Sequence, residues 1–165
     1  MIEYLDKQQL AQLQALTSEL RDWLLITTQY ETGCTVSELV NIKKEDIQKD
    51  AIRIDERLCK VSQNLLNKLL AYINTHNSPY VFPSRQQESL STKRVQQIIK
   101  KHLKVLDVQK PTPHVLRYTH IAHAVQQSIP LHAIKAQTGL GELRLSQIVS
   151  EVHLPDEDAY TRLFS

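Results

Sequence analysis

The sequence predicts a mainly α fold with a small antiparallel β-sheet. Three features predict it. Apolar residues recur three and four positions apart along most of the chain, which is the period of one helical face. Glycine, which a turn-rich β protein needs, occurs three times in 165 residues. The stretch that alternates apolar and polar side chains, Ala51 to Ile54, is short and has a short neighbour to pair with. An apolar content of 41% excludes a disordered chain. One domain is the expectation at this length, and about 70% of the unfolded surface would be buried.

The elements follow in order. Leu10, Leu13 and Leu16 share a helical face within 5–16. Ser18 reads as an N-cap for a helix over Arg21 to Tyr30 that carries Leu24, Leu25 and Ile26, and Gly33 breaks it. Thr35 or Ser37 opens a short helix through Val36, Leu39 and Val40. The strand at Ala51 to Ile54 places Ile52 and Ile54 on one side, and Leu58 to Val61 is its partner. Ser62 starts a helix with Leu65, Leu66, Leu69, Leu70 and Ile73. Pro79 and Pro83 keep 78–84 extended. Ser91 or Thr92 caps a basic amphipathic helix to Leu106, with Val95, Ile98, Ile99 and Leu103 as its buried stripe. After Pro111 and Pro113 a helix runs from about His114 to Gln127. Another starts near Pro130 and ends at Gly139, and a further one covers Leu143 to Val149. The tail from Pro155 to Ser165 has room for one last short helix.

No apolar run reaches the roughly 18–20 residues that span a bilayer, and Met1 to Asp6 lacks the pattern of a signal peptide. The expected location is therefore cytoplasmic, nucleoid-associated if the protein binds DNA. Cys34 and Cys59 read as reduced, packed thiols, with no ligand-spaced partners for a metal. Net charge is +2, but its distribution is uneven. Arg85 to Arg117 carries eight Lys/Arg against Glu88 and Asp107, whereas Asp156, Glu157 and Asp158 stand in a row near the end. A basic middle of this kind can neutralise phosphates, and it can equally be a solvated helix face.

The informative segment is 112–140. His114 and Arg117 lie three apart near a helix start, so they share a face. A guanidinium binds two phosphate oxygens and an imidazole moves a proton. Pairing alone is a weak signal, but PTPHVLRYTHIAHAV resembles the second box of the tyrosine recombinases, a His-x-Leu-Arg motif followed by His or Tyr and Thr. Upstream, YETGCTVSELVNIKKEDI resembles their first box, which ends in Thr-Gly-x-Arg-x-Ser-Glu-Leu. Between the boxes come a short sheet, the helix of SQNLLNKLLAYI, the VFPS link and a basic helix. AIKAQTGL resembles the approach to the third box. The resemblance covers nearly the whole chain, in order.

This resemblance implies a tyrosine recombinase catalytic-domain-like fold over 1–165, without the N-terminal core-binding domain that completes a clamp around DNA. Family members cut DNA with a tyrosine that attacks the scissile phosphate. Two arginines and a His or Trp stabilise the phosphorane, and a lysine on a β-hairpin protonates the leaving hydroxyl. Carried over by position, His114 and Arg117 are retained. The first arginine falls on Thr35. The third-box His or Trp position, 23 residues past Arg117, is Leu140, and the nucleophile position nine further is Val149. The hairpin turns at once through Asp55, Glu56 and Arg57. Arg57 matches another hairpin position and Lys60 falls late.

The expectation is thus a catalytically inactive tyrosine recombinase-like protein, a pseudo-enzyme of the kind a mobile element leaves behind. It would take no cofactor and no metal. It would bind DNA weakly and without sequence preference through Lys93, Arg94, Lys100, Lys101, Lys104 and Arg117. It could also pair with an active recombinase, or with itself, through its C-terminal tail. Two alternatives stay open: an active recombinase with a displaced nucleophile at Tyr160, and a protein-interaction module that no longer touches DNA. His120 and His123, with His114 or His132, are weak metal candidates against a core or surface role. His114 and Arg117 should lie together at the surface, next to Thr35 and near Leu140 and Val149.

Overall fold

The structure is a computed structural model that describes residues 2–108 and 111–154. Among the described residues, eight α-helices and a two-stranded antiparallel sheet follow the order α1 (Lys7–Leu16), α2 (Leu20–Thr32), α3 (Val36–Val40), β1 (Ala51–Ile54), β2 (Arg57–Lys60), α4 (Gln63–Ile73), α5 (Thr92–Leu103), α6 (Val115–Gln126), α7 (Leu131–Thr138) and α8 (Glu142–Val149). Short 3-10 turns cover Lys44–Asp46 and Lys104–Leu106. The mainly α expectation with a small antiparallel sheet is met. None of the described helices is long and apolar enough to cross a membrane.

Helix α2 is the central element. Its Leu24, Leu25 and Ile26 are fully buried, three residues in succession, because other helices cover it on several sides. Helices α4 and α5 pack against it with single apolar stripes. Leu65, Leu66 and Leu69 come from one, and Val95, Ile98, Ile99 and Leu103 from the other. Each such side chain contributes about 1.5–3 kcal/mol by leaving water. A second, smaller cluster joins α6, α7 and α8 through Ile121, Ile134, Leu145 and Ile148.

The helix starts show where side-chain chemistry decides a boundary. Thr35, Ser62 and Ser91 cap α3, α4 and α5 by accepting from the backbone N–H three residues on. Asp6 does the same for α1 in a reciprocal box with Gln9. Ser18 is not a cap: α2 starts one residue later, from Glu19, whose side chain makes no capping bond. Burial of its apolar face starts that helix without one.

The hairpin pairs Ala51 with Lys60 and Ile54 with Arg57. Asp55 makes the tight turn possible by adopting a left-handed φ of 56°, which Asp tolerates better than most residues. Gln137 of α7 then fastens β2. Its side chain accepts from the Lys60 N–H at 3.0 Å and donates to the Lys60 carbonyl at 2.8 Å, as a neighbouring strand would. Two bonds join 2–4 to 151–153. The Ile2 N–H donates to Glu151 at 3.2 Å, and the His153 N–H to the Tyr4 hydroxyl at 3.0 Å. Leu5 is held by α6, donating to Thr119 Oγ1 at 3.0 Å and accepting from His123 Nε2 at 2.8 Å.

Candidate functional site

The segments ending at Cys34 and Pro113 are joined by one buried amide. Gln29, fully buried in α2, donates from Nε2 to the Cys34 carbonyl at 3.3 Å and to the Pro113 carbonyl at 3.1 Å. These carbonyls immediately precede Thr35 and His114. A single side chain thereby sets α3 and α6 start to start, although the residues it links lie far apart in sequence. The turn before Thr35 uses Gly33, whose φ of 68° lets its N–H close α2 on the Gln29 carbonyl at 2.9 Å.

Thr35 and Glu38 form a capping box: Thr35 Oγ1 accepts from the Glu38 N–H at 3.1 Å, and Glu38 Oε1 accepts from the Thr35 N–H at 3.0 Å. That carboxylate is also the hub of the site. Arg57, reaching across from β2, donates from Nη1 to Oε2 at 2.7 Å and from Nη2 to Oε1 at 3.2 Å. Such a two-pronged pair is the strongest ionic arrangement a guanidinium makes. Arg117 of α6 approaches the same Oε1 to 3.7 Å, an ion pair beyond hydrogen-bond reach. Burial alone would raise the Glu38 carboxyl, but the bonds from Arg57 and Thr35 and both positive charges outweigh it and hold it below the usual range.

Arg117 itself is pulled down by burial, partly offset by Glu38, and stays a cation. It is 7% exposed, so it is not at the surface as the sequence predicts. Spacing along a helix fixes direction and says nothing of depth. His114, the N-cap position of α6, is exposed, with its ring 5.9 Å from that of Tyr118. Thr35 does lie beside Arg117, joined to it through Glu38. Leu140 and Val149, both half-buried, pack on the small α6–α8 cluster together with Tyr118, the residue after Arg117.

Two residues to which the sequence alone assigns no role, Arg57 and Glu38, are thus central. Glu38 stands inside the SEL motif of the first box. Arg57 carries no local signal, because its partner depends on how α7 seats the hairpin. Its Nε donates to the Gln137 carbonyl at 3.2 Å, and Gly139 (φ 74°) lies so close that a Cβ there would come to 2.6 Å from Nη1. Lys60 faces elsewhere, lining an apolar cavity of about 550 Å³ with Leu58, His120, Ile134 and Gln137.

The cations of the basic helix are all exposed: Lys93, Arg94, Lys100, Lys101 and, just beyond α5, Lys104. Lys93 and Lys100 line a concavity with Pro111, Thr112 and Pro113, the segment that leads into His114. Arg117 stands apart from this outward face. His120 and His123 are spent on the core. His120 Nδ1 bonds the Tyr30 carbonyl at 2.8 Å, while His123 takes the Tyr30 hydroxyl at 2.7 Å on one nitrogen and Leu5 on the other. Burial pushes His120 down to about 4. The thiols are buried too, and burial pushes Cys34 up to about 12. Tyr160 and the tail from Pro155 to Ser165 lie outside the described residues.

Comparison with known proteins gives a consistent result. The model of the phage integrase family matches residues 3–148. The tyrosine recombinase XerA of Pyrococcus horikoshii is 29% identical over 161 residues, covering 90% of this chain and 56% of its own length. XerA of Pyrococcus furiosus is 32% identical over 147 residues, covering 81% and 51%. The chain spans about half the length of the curated relatives it matches. Among solved structures, a XerA recombinase superposes with a TM-score of 0.85 at 24% identity, over 100% of this chain and 66% of the other. A XerH site-specific recombinase bound to palindromic difH substrate gives 0.79 at 15%, over 99% and 52%. At these identities the superpositions speak for the fold alone.

Proposed function

Because the chain belongs to the phage integrase family, that of the tyrosine recombinases, we propose that it is a DNA-binding member that does not cut or join DNA. The observation that carries this reading is the chemistry at three family positions. Thr35 stands where the resemblance calls for an arginine, and its hydroxyl is occupied in capping α3. Leu140 and Val149 stand where a charge-stabilising hydrogen-bond donor and the nucleophile are expected, and both pack in an apolar cluster. Valine has no nucleophilic atom. Removing a single charge-stabilising donor typically costs about 10²–10³ in rate, and removing the nucleophile closes the covalent route.

DNA binding is supported by the exposed cations of α5 and by membership of a family whose curated relatives include tyrosine recombinases. Contacts of this kind go to phosphates, so binding should tolerate any sequence and weaken with salt. The test is to incubate the protein with nicked suicide substrates and look for a covalent adduct on a denaturing gel. No adduct is expected from the wild type, from Thr35→Arg or from Val149→Tyr, because the missing groups act on one transition state and restoring one recovers little. An adduct that disappears in Tyr160→Phe would overturn the reading and identify Tyr160 as a displaced nucleophile.

A further inference from the structure

Building on the reading of this chain as a DNA-binding member of its family, we infer that Arg57 is a positioning residue: by occupying Glu38 it leaves Arg117 available to a phosphate. Both carboxylate oxygens of Glu38 are engaged. Oε2 accepts from Arg57 Nη1, and Oε1 accepts from Arg57 Nη2 and from the Thr35 N–H. Arg117 is left at 3.7 Å, its side chain 9% exposed, and its buried Nη1 finds no hydrogen-bond acceptor among the described residues. A buried guanidinium donor without an acceptor is costly, and an oxyanion is the group that would relieve it.

Arg57 is poorly placed to bind the anion itself. Its Nε is committed to the Gln137 carbonyl, its two terminal nitrogens to Glu38, and it lies over the bare Cα of Gly139. It therefore acts through the carboxylate. Without Arg57, Glu38 would turn to Arg117 and neutralise it. His114 at the start of α6 is exposed, and Lys93, Lys100 and Thr112 line a separate concavity that the chain passes just before it. The ligand class is a phosphate oxyanion, and the source proposed is the backbone of DNA.

The test uses the full chain as wild type, Arg57→Ala, Glu38→Gln and the double variant. Binding of a fluorescent 20-bp duplex is measured by anisotropy at low salt. Inorganic phosphate is titrated while the Arg117 Nε–H signal is followed by NMR. Arg57→Ala should weaken both ligands about tenfold, the loss of one charge-assisted contact. Adding Glu38→Gln, which keeps the capping acceptor but removes the competing charge, should restore binding to within about threefold of wild type.

A double variant as weak as Arg57→Ala would mean that Arg57 touches the phosphate directly, and it overturns the inference. So does an unchanged affinity in Arg57→Ala. If Arg57→Ala unfolds, Arg57→Lys serves instead: one ammonium cannot cover both oxygens, and its smaller loss should again be rescued by Glu38→Gln. Wild type that binds phosphate with this rescue pattern but does not bind duplex keeps the inference and removes the DNA reading. Duplex binding without any phosphate response at Arg117 does the reverse.

Discussion

Substituting Gly139 by alanine probes the seating of the hairpin. A Cβ at this position meets Arg57 Nη1 at 2.6 Å, Cζ at 2.9 Å and Cδ at 3.2 Å, so the whole guanidinium end must move. Its φ of 74° adds a second cost. The left-handed conformation costs a non-glycine residue about 1–2 kcal/mol. Displacing Arg57 from Glu38 and Gln137 loses charge-assisted bonds at a partly exposed site, about 1 kcal/mol in net terms. Together these give about 2–3 kcal/mol, which for a domain of this size is roughly 4–12 °C in Tm. Urea unfolding or calorimetry measures it.

Two controls separate the terms. In an Arg57→Ala background the clash vanishes, so the cost of Gly139→Ala should shrink to the backbone term, a coupling of about 1 kcal/mol. At Gly141 an added Cβ meets nothing within 4 Å, and Gly141→Ser should gain a few tenths of a kcal/mol as a better N-cap for α8. Gly139→Ala within about 0.5 kcal/mol of wild type, the ordinary range for an uncommitted surface position, would refute this account. A cycle without coupling would refute the part assigned to Arg57.

Two further outcomes are expected. Removing Lys93, Lys100 and Lys104 together should lower the slope of log affinity against log salt by about 3, since each phosphate contact contributes about 0.9; a slope unchanged in the triple variant would show that DNA lies elsewhere. His120 and His123 both have folded pKa values below their unfolded ones, chiefly through burial. The unfolded chain therefore binds more protons, so their contribution is complete above about pH 6.5 and is lost as pH falls towards 4. For His120 the full amount is about 3 kcal/mol. Urea unfolding between pH 7.5 and 4 should show a shallower acid loss in His120→Gln, and identical slopes would sink the assignment.

Much of the architecture is legible in the sequence because it depends on local pattern. The apolar stripes of α4 and α5, the caps at Thr35, Ser62 and Ser91, and the ungapped spacing of two boxes all lie within a few turns of chain. The cap at Asp6 is not marked by the leucine spacing of α1, which fixes the face of a helix and not its first residue. Ser18 misleads because a good capping residue is a preference that packing can override by one position. The burial of Arg117 and the bond from Arg57 to Glu38 are illegible for a different reason. Each depends on how α3, β2, α6 and α7 pack together, and no periodicity in one segment reports that. Gln29 is the sharpest case: in sequence it is one polar residue on an apolar helix, and in the fold it sets two motifs side by side.

The pairing of 2–4 with 151–153 has a mechanical consequence. Ile2 is bonded to Glu151 and Tyr4 to His153, so a pull between Ile2 and His153 acts at opposite ends of the paired segments and loads both bonds together, in shear. The next resistance is at Leu5, where Thr119 and His123 of α6 hold both backbone groups. Along this axis the molecule should yield in two steps, the first when both bonds part together. The first would leave Glu38, Arg57 and Arg117 undisturbed, so a molecule tethered at these two points could be stretched slightly without breaking its ion-pair cluster.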